Sequence, residues 1–460
     1  MDHEELRHWS KRAADWAADY HAALRDRPVT PPMQPGDLAR RLPACAPEAP
    51  EPMAAIWADF EALVPGAMTH WQHPRFFGYF PANAAPASML AEQLANAMAA
   101  QGMLWQTAPA AAEMEGVVTG WLRAALGLPE AWRGTIHDSA TTATLAAVLT
   151  MRERALAGEG NAQGLAGGPV LRVYASGECH SSVDKAMRVA GLGQANLVKV
   201  PVRADLSMDA GALTRAIAAD RAAGLRPAGV IGCIGGTSVG ASDRLTEILA
   251  VARAEGLYSH VDAAWAGSAM ICSEFRPLWQ GVEAADSLVF NPHKWLGAQF
   301  DCSVQFLADP GPQVAALALR PDYLKTVEDG AAANYSEWTL PLGRRFRALK
   351  LWFLLRAEGL EGLRAMIRNH VAWAAEAEAR LAALPGVEIS SPRTLSLFTF
   401  RLAAGDDATE ALMARINATG AAFLSGTRHA GRFVIRMQVG PWSTTRDDVL
   451  ALPALVARLL

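Results

Sequence analysis

Lys294 closes the apolar run Leu288–Leu296, LVFNPHKWL, with His293 directly before it. A lysine delivered into a partly desolvated pocket loses basicity because burial disfavours its charged form, and its free amine can then condense with an aldehyde. A lone His-Lys pair is ordinarily a solvated surface pair, so the reading needs a second element. That element is HVDAAWAGS, His260–Ser268, where another apolar run delivers Asp262 and then small residues, Ala263 and Ala264. A carboxylate at a strand end, with alanines leaving room for a flat ring, suits a pyridine nitrogen that must stay protonated. Lysine and aspartate together read as a site for pyridoxal 5'-phosphate.

Such residues need strands to carry them. From about residue 135, helical stretches near 140–157, 180–191, 209–223 and 243–255 separate apolar runs near 171–176, 197–202, 228–234 and 257–262. This alternation predicts a largely parallel sheet covered on both faces, with ligands at the carboxyl ends of its strands. Ser139-Ala140-Thr141-Thr142-Ala143 opens the first of these helices. Hydroxyl residues there are ordinary caps, but the same unpaired N–H groups suit a phosphate. His180 follows the run that ends near Ser176, and Thr237 follows the one that ends near 234.

Upstream, Leu6, Trp9, Ala13, Trp16, Tyr20 and Leu24 recur at spacings of three and four, the stripe of an amphipathic helix. It could pack on its own subunit or on a second one. Dense prolines from Pro28 to Pro52 predict an extended connector. Residues 70–81 are rich in aromatics without clear period, and a helix is expected from near Pro109. After Lys294 we expect an edge strand beyond Phe300-Asp301-Cys302-Ser303, then a polar segment, roughly 320–337, of the kind that forms a surface loop or an active-site lid. Helices near 345–383 and strands near 395–401 and 432–438 complete a C-terminal α/β unit. The division expected is an arm and connector over 1–84, a large domain over 85–345 and a small domain over 346–460.

Composition limits the function classes. The 460 residues are 51% hydrophobic and 19% charged, too apolar for disorder and too long for one small core. A net charge of −4 and a pI near 6.3 give no basic field for nucleic acid. The five cysteines are scattered without C-x-x-C spacing, which argues against a disulfide framework and a structural zinc site. No run of about 18 apolar residues suggests a membrane span. A cytoplasmic protein with a small-molecule partner and reduced thiols is expected.

The segments HPRFFGYFP, GMLWQTAPAAAEME, SATTATLAA, ECHSSVDKA, HVDAAWAGSAMICSEFRPL, ADSLVFNPHKWL, FDCS, PDYLK and PLGRRFRALKLWF occur in this order along nearly the whole chain. In them the chain resembles the group II pyridoxal-phosphate-dependent amino acid decarboxylases, in particular those acting on aromatic L-amino acids. The resemblance implies fold type I, the aspartate aminotransferase-like α/β fold, and a homodimer with exchanged N-terminal segments and active sites at the interface. It implies decarboxylation of tryptophan, tyrosine, phenylalanine or dihydroxyphenylalanine to the amine. Lys294 would hold the cofactor, Asp262 its ring nitrogen and His180 its ring face. Ala140, Thr141, Ser287 and Asn291 match phosphate-side residues, with Thr237, Ala264 and His293 also around the cofactor. Trp71, Tyr79, Phe80, Pro81 and Gly343 match the substrate wall, and Gln101 and Met103 a loop reaching the partner's pocket. Tyr323 matches a lid tyrosine that protonates Cα, a position typically phenylalanine in the aldehyde-forming relatives. Ala82, where a threonine is common, and Asp138 and Thr142, where glycine and glutamate flank the phosphate motif, depart from the family pattern.

Three other readings stand beside this one. An aminotransferase would use Arg436 to anchor an α-carboxylate, although that arginine could equally form a structural ion pair. A decarboxylase of an acidic or small amino acid is a second, and the aromatic wall with no evident basic cluster near it opposes the acidic case. A cofactor-binding scaffold without catalysis is opposed by the presence of lysine, aspartate and histidine together.

Overall fold

Residues 133–307 build the covered parallel sheet that the alternation predicts. In the structure, a computed structural model describing residues 1–319 and 332–460, the strands are β1 (Arg133–His137), β2 (Leu171–Ser176), β3 (Leu197–Val200), β4 (Arg226–Cys233), β5 (Tyr258–Asp262), β6 (Ser287–Phe290) and β7 (Ser303–Leu307). They are ordered β1-β7-β6-β5-β4-β2-β3. The run from β6 through β5, β4 and β2 to β3 is parallel, whereas β7 is antiparallel to both neighbours. Helices Ala140–Leu156, Ser182–Val189, Ala210–Ala222 and Leu245–Ala254 alternate with these strands.

The strand after Phe300 is not at an edge. β7 lies between β1 and β6 with all five residues buried, and the edges are β1 and β3. Gln305 gives this strand its half-exposed look in sequence, but its side chain is satisfied inside the core by His137 at 2.8 Å and Gln313 at 3.0 Å. Buried polar groups with partners are compatible with an interior strand.

The C-terminal sheet holds β8 (Val387–Thr394), β9 (Leu397–Leu402), β10 (Ser425–His429) and β11 (Arg432–Gln438), in the order β10-β11-β9-β8 and antiparallel throughout. The expected strands are the two central ones. The edge strands β8 and β10 are polar, and Pro392 sits in β8, a residue a sheet tolerates at its rim because one side needs no partner. The helical segment Arg347–Ala382, broken by a kink at Gly359 with φ +63°, joins the two units. Its Leu351, Leu354, Leu363 and Ile367 enter the core of the larger sheet, and its Ala374, Ala377 and Leu381 enter that of the smaller one.

The N-terminal helix forms over His3–Ala23, started by the Asp2 side chain, which accepts the Glu5 N–H. Its aromatic stripe packs on a second helix of the same chain, Met53–Leu63, through Trp9 against Trp57 and Trp16 against Phe60, ring centroids 5.6 and 4.9 Å apart. None of its residues is buried. The Pro-rich residues 28–52 contain one short 3₁₀ turn, Ala39–Arg41, and no α-helix.

Candidate active site

One cavity of about 180 Å³ lies where the carboxyl ends of β1, β2, β4, β5 and β6 converge. The last residues of these strands and the segments after them supply Ser139, Ala140, Thr141, His180, Cys233, Gly235, Gly236, Thr237, Asp262, Ala264, Asn291, His293 and Lys294 to its wall. Local sequence explains the delivery. β5 and β6 are wholly buried, and each ends where its apolar run meets a polar residue, Asp262 and Asn291 respectively.

Lys294 sits in a single π-helical turn, Pro292–Leu296, that ends at Gly297 with φ +98°. Gly297 cannot carry a side chain, since an added Cβ would lie 2.5 Å from the Trp442 ring. The Lys294 Nζ is 4.9 Å from the centre of the Phe80 ring. Burial pulls its pKa down to about 8, with Asp262 opposing and Arg436 reinforcing the shift. Asn83 fixes the turn from outside. Its Nδ2 donates to the Lys294 carbonyl at 2.6 Å and the Gly440 carbonyl at 3.0 Å, while its Oδ1 accepts the Trp442 N–H at 2.8 Å. Asn83 lies in the loop after the aromatic segment, and no spacing in the sequence marks it.

Asp262 is buried, with one carboxylate oxygen accepting the Ala264 N–H at 3.0 Å. His180 Nδ1 accepts the Ser182 N–H at 3.1 Å, which leaves the proton of the neutral ring on Nε2. Burial lowers the His180 pKa, Asp262 raises it and Lys294 lowers it. His293 Nδ1 accepts the Cys302 N–H at 2.9 Å, and burial pushes its pKa to about 3, so it is a neutral ring packed beside Lys294.

The helix Ala140–Leu156 points its N-terminus at the cavity, with Ser139 as cap. The Ser139 and Thr142 hydroxyls both bond to Asp138, the former at 3.0 Å. Burial raises the Asp138 pKa, but the hydroxyls of Thr142 and Ser139 outweigh it and hold the group below its ordinary value. Backbone N–H groups and Thr141 are then what the helix start offers an anion. Asn291 Oδ1 is buried without a hydrogen-bond partner among the described residues, a polar atom directed at a site that receives a polar ligand. Together with the desolvated amine and the carboxylate on β5, these residues fit pyridoxal phosphate.

Several expected residues fall elsewhere. Ser287 begins β6 at the end remote from Lys294, is buried, and bonds through Oγ to His260 Nδ1 at 2.8 Å. It does not reach the cavity, because the strand's length separates it from Asn291. Phe80 lines the cavity and stacks on Trp265 at 4.9 Å. Trp71 and Tyr79 instead stack on each other at 5.7 Å and are largely exposed, and Pro81 packs near Gly440. Gln101, Met103 and Gly343 are absent from this chain's cavity wall. Gln101 Oε1 accepts the Arg344 N–H at 3.2 Å, so the 101 and 343 loops adjoin. Tyr323 lies outside the described residues. Arg436 is buried without a carboxylate partner among the described residues, so the structural ion pair is not found there. Its Nε donates to the Ser238 carbonyl at 2.8 Å and one terminal nitrogen to Ser425 Oγ at 2.9 Å, with the guanidinium 5.4 Å from the Phe80 ring centre.

A mainly parallel sheet with a lysine after one strand and an aspartate at the end of its neighbour, beside a small antiparallel domain, defines the fold type I class of pyridoxal-phosphate enzymes. Residues 35–403 match the family model described as the pyridoxal-dependent decarboxylase conserved domain. The chain belongs to that family, the group II amino acid decarboxylases. Its relatives include the aromatic-L-amino-acid decarboxylase of Sus scrofa, 40% identical over 95% of this chain and 93% of the relative. A phenylacetaldehyde synthase of Arabidopsis thaliana is 37% identical, with 98% and 94% covered. Among solved structures, Oryza sativa TDC with PLP and tryptamine superimposes with a TM-score of 0.96 at 34% identity, covering 100% of this chain and 98% of that one. The expected family and fold class are borne out.

Proposed function

We propose that this protein decarboxylates an aromatic L-amino acid, releasing the amine and CO2. The observation that carries the reading is the Lys294 amine, desolvated in the cavity alongside Asp262 and facing Phe80. The aromatic substrate class is supported by Phe80 and by the relatives named for aromatic substrates.

Bound pyridoxal phosphate supplies an electron sink for the pair left at Cα when CO2 departs. The chain's own residues would do the rest. Lys294 anchors the cofactor and gives up its place to the substrate amine. Asp262 keeps a proton on the pyridine nitrogen. The start of helix Ala140–Leu156, with Thr141, binds the phosphate, and His180 and Ala264 flank the ring. Arg436 lies with its guanidinium 5.4 Å from the Phe80 ring centre, and its remaining terminal nitrogen, 3.5 Å from the Tyr79 carbonyl, would turn to a substrate carboxylate. Tyr323 is proposed from sequence as the acid that returns a proton to Cα, since a phenol suits that task when a lid excludes water.

The decisive experiment incubates purified holoenzyme with each common L-amino acid, following CO2 and identifying the product by mass. Aromatic amine with matching CO2 supports the proposal. Keto acid without CO2 would make it an aminotransferase. The 37%-identical phenylacetaldehyde synthase motivates the second reading, an aldehyde-forming enzyme, for which the wild type would consume O2 and water and release aldehyde, CO2, ammonia and hydrogen peroxide. Under the first reading Tyr323→Phe shifts product toward that mixture. Unchanged amine output from this variant would remove Tyr323 from the mechanism.

We further propose a homodimer in the cytoplasm, organised as arm (1–84), large domain (85–345) and small domain (346–460). Gln101, Met103 and Gly343 would then serve a pocket completed across the interface. Five free thiols accord with a reducing compartment. Among the described residues no helix is long and apolar enough to cross a membrane.

A further inference from the structure

Three side chains that the reaction does not use meet behind the cavity wall. Cys179 lies in the turn after β2, next to His180, and Cys233 is the last residue of β4. Asp243 follows the loop that returns from Gly236. All three are buried, and their Sγ, Sγ and carboxylate oxygen atoms lie within 4.8 Å of one another. The Cys233 thiol donates to the Ala241 carbonyl at 3.9 Å and the Cys179 thiol to the Ile231 carbonyl at 3.8 Å, so backbone carbonyls hold both sulfurs in place beside the carboxylate. Asp243 is held rigidly, its two oxygens accepting the Met208 N–H at 2.7 Å and the Cys233 N–H at 2.8 Å. Two thiols and a carboxylate converging on one buried point are the donor set a divalent cation takes.

We propose that Cys179, Cys233 and Asp243 form a binding site for a thiophilic divalent cation of the zinc class, set directly behind the cofactor cavity. A tetrahedral ion with Zn–S bonds of ~2.3 Å places its two sulfurs ~3.8 Å apart, a spacing this cluster reaches with a contraction of about 1 Å or less. Two thiolates favour a soft or borderline ion over magnesium or calcium. Binding releases the two thiol protons to solvent and involves no change of oxidation state. Three protein ligands leave the fourth position to a water, and Cys233 is also one of the residues lining the cofactor cavity. An ion held there ties the turn carrying His180 to the end of β4, joining two segments of the cofactor wall.

The test loads the holoenzyme with zinc, removes free metal by desalting, and measures zinc per chain and the zinc-edge X-ray absorption spectrum. One zinc per chain with two sulfur neighbours at ~2.3 Å is expected, as is a loss of affinity of roughly 100-fold in Cys179→Ser and in Cys233→Ser. The cofactor absorbance of each variant reports whether it is folded. A zinc shell of nitrogen and oxygen alone, as exposed histidines would give, overturns the site whatever the variants do. So does zinc content unchanged in the double serine variant, or no zinc retained by the wild type.

Discussion

Burial does to Lys294 what the reaction needs. With a pKa of about 8, roughly a tenth of the amine is uncharged at pH 7, against about three in ten thousand at the ordinary 10.5. The same shift fixes a stability signature in the cofactor-free protein. The folded pKa lies below the unfolded one, so between about pH 8 and 10.5 the unfolded state binds more protons and stability rises with pH. Below pH 8 both states hold the proton and the full penalty applies, on the order of 3 kcal/mol. Lys294→Met should therefore stabilise the cofactor-free protein at pH 7, and the gain should vanish by about pH 10.5. Urea denaturation at a series of pH values checks this, and equal stability at pH 7 would mean the amine is not desolvated. In the holoenzyme, borohydride reduction should leave cofactor mass on the peptide containing Lys294. Asp262→Asn should keep the cofactor bound yet lower kcat by at least about 100-fold, because an uncharged neighbour no longer holds the ring proton. Steady-state kinetics with cofactor content measured in parallel separates the two effects.

Among the elements, the π-helical turn around Lys294 depends on a side chain from a distant loop. Asn83 joins that turn to Gly440 and Trp442 beyond β11, so it links the lysine to the small domain by three hydrogen bonds. Removing a buried hydrogen-bonding group strands its partners, at about 1–3 kcal/mol for each one left unsatisfied. Asn83→Ala should lower the denaturation midpoint accordingly and speed cofactor release, followed by absorbance after dilution. Asn83→Asp should not rescue it, since a carboxylate cannot donate to the Lys294 and Gly440 carbonyls. A midpoint equal to wild type for Asn83→Ala would show that the turn holds itself.

Across the whole molecule, apolar side chains are left in water in a pattern a monomer does not need. Leu90, Leu94 and Met98, each four residues apart, are 50%, 45% and 58% exposed along and just beyond helix Pro86–Ala97. Val117 and Trp121 repeat the spacing on helix Pro109–Leu126, and no residue of the N-terminal helix is fully buried. Contiguous exposed apolar stripes mark interaction surfaces. We expect a dimer by sedimentation equilibrium, and a Leu94→Asp, Trp121→Asp double variant shifted to monomer with most activity lost. A wild type that remains monomeric at micromolar concentration would remove the proposed interface.

The strands that carry Lys294 and Asp262 were legible because each is an apolar run ending on a chemically distinctive residue, and a parallel sheet places such ends on one side. Local pattern sufficed there, since each residue's position follows from its own strand. The same logic located the helix start at Ser139 and the turn holding His180. Ser287 is expected at the cofactor from the family resemblance rather than from this logic, and it begins β6 at the end remote from the cavity. Local pattern left Asn83 unseen, because a hydrogen bond spanning 211 residues leaves no periodic trace in the chain. The cysteines illustrate the division. Their spacing in sequence, Cys179 and Cys233, argues against a metal site, yet adjacent parallel strands bring β2 and β4 side by side and their ends into contact. Burial periodicity is written residue by residue, whereas the meeting of distant side chains is decided by strand order and register, which only the folded chain possesses.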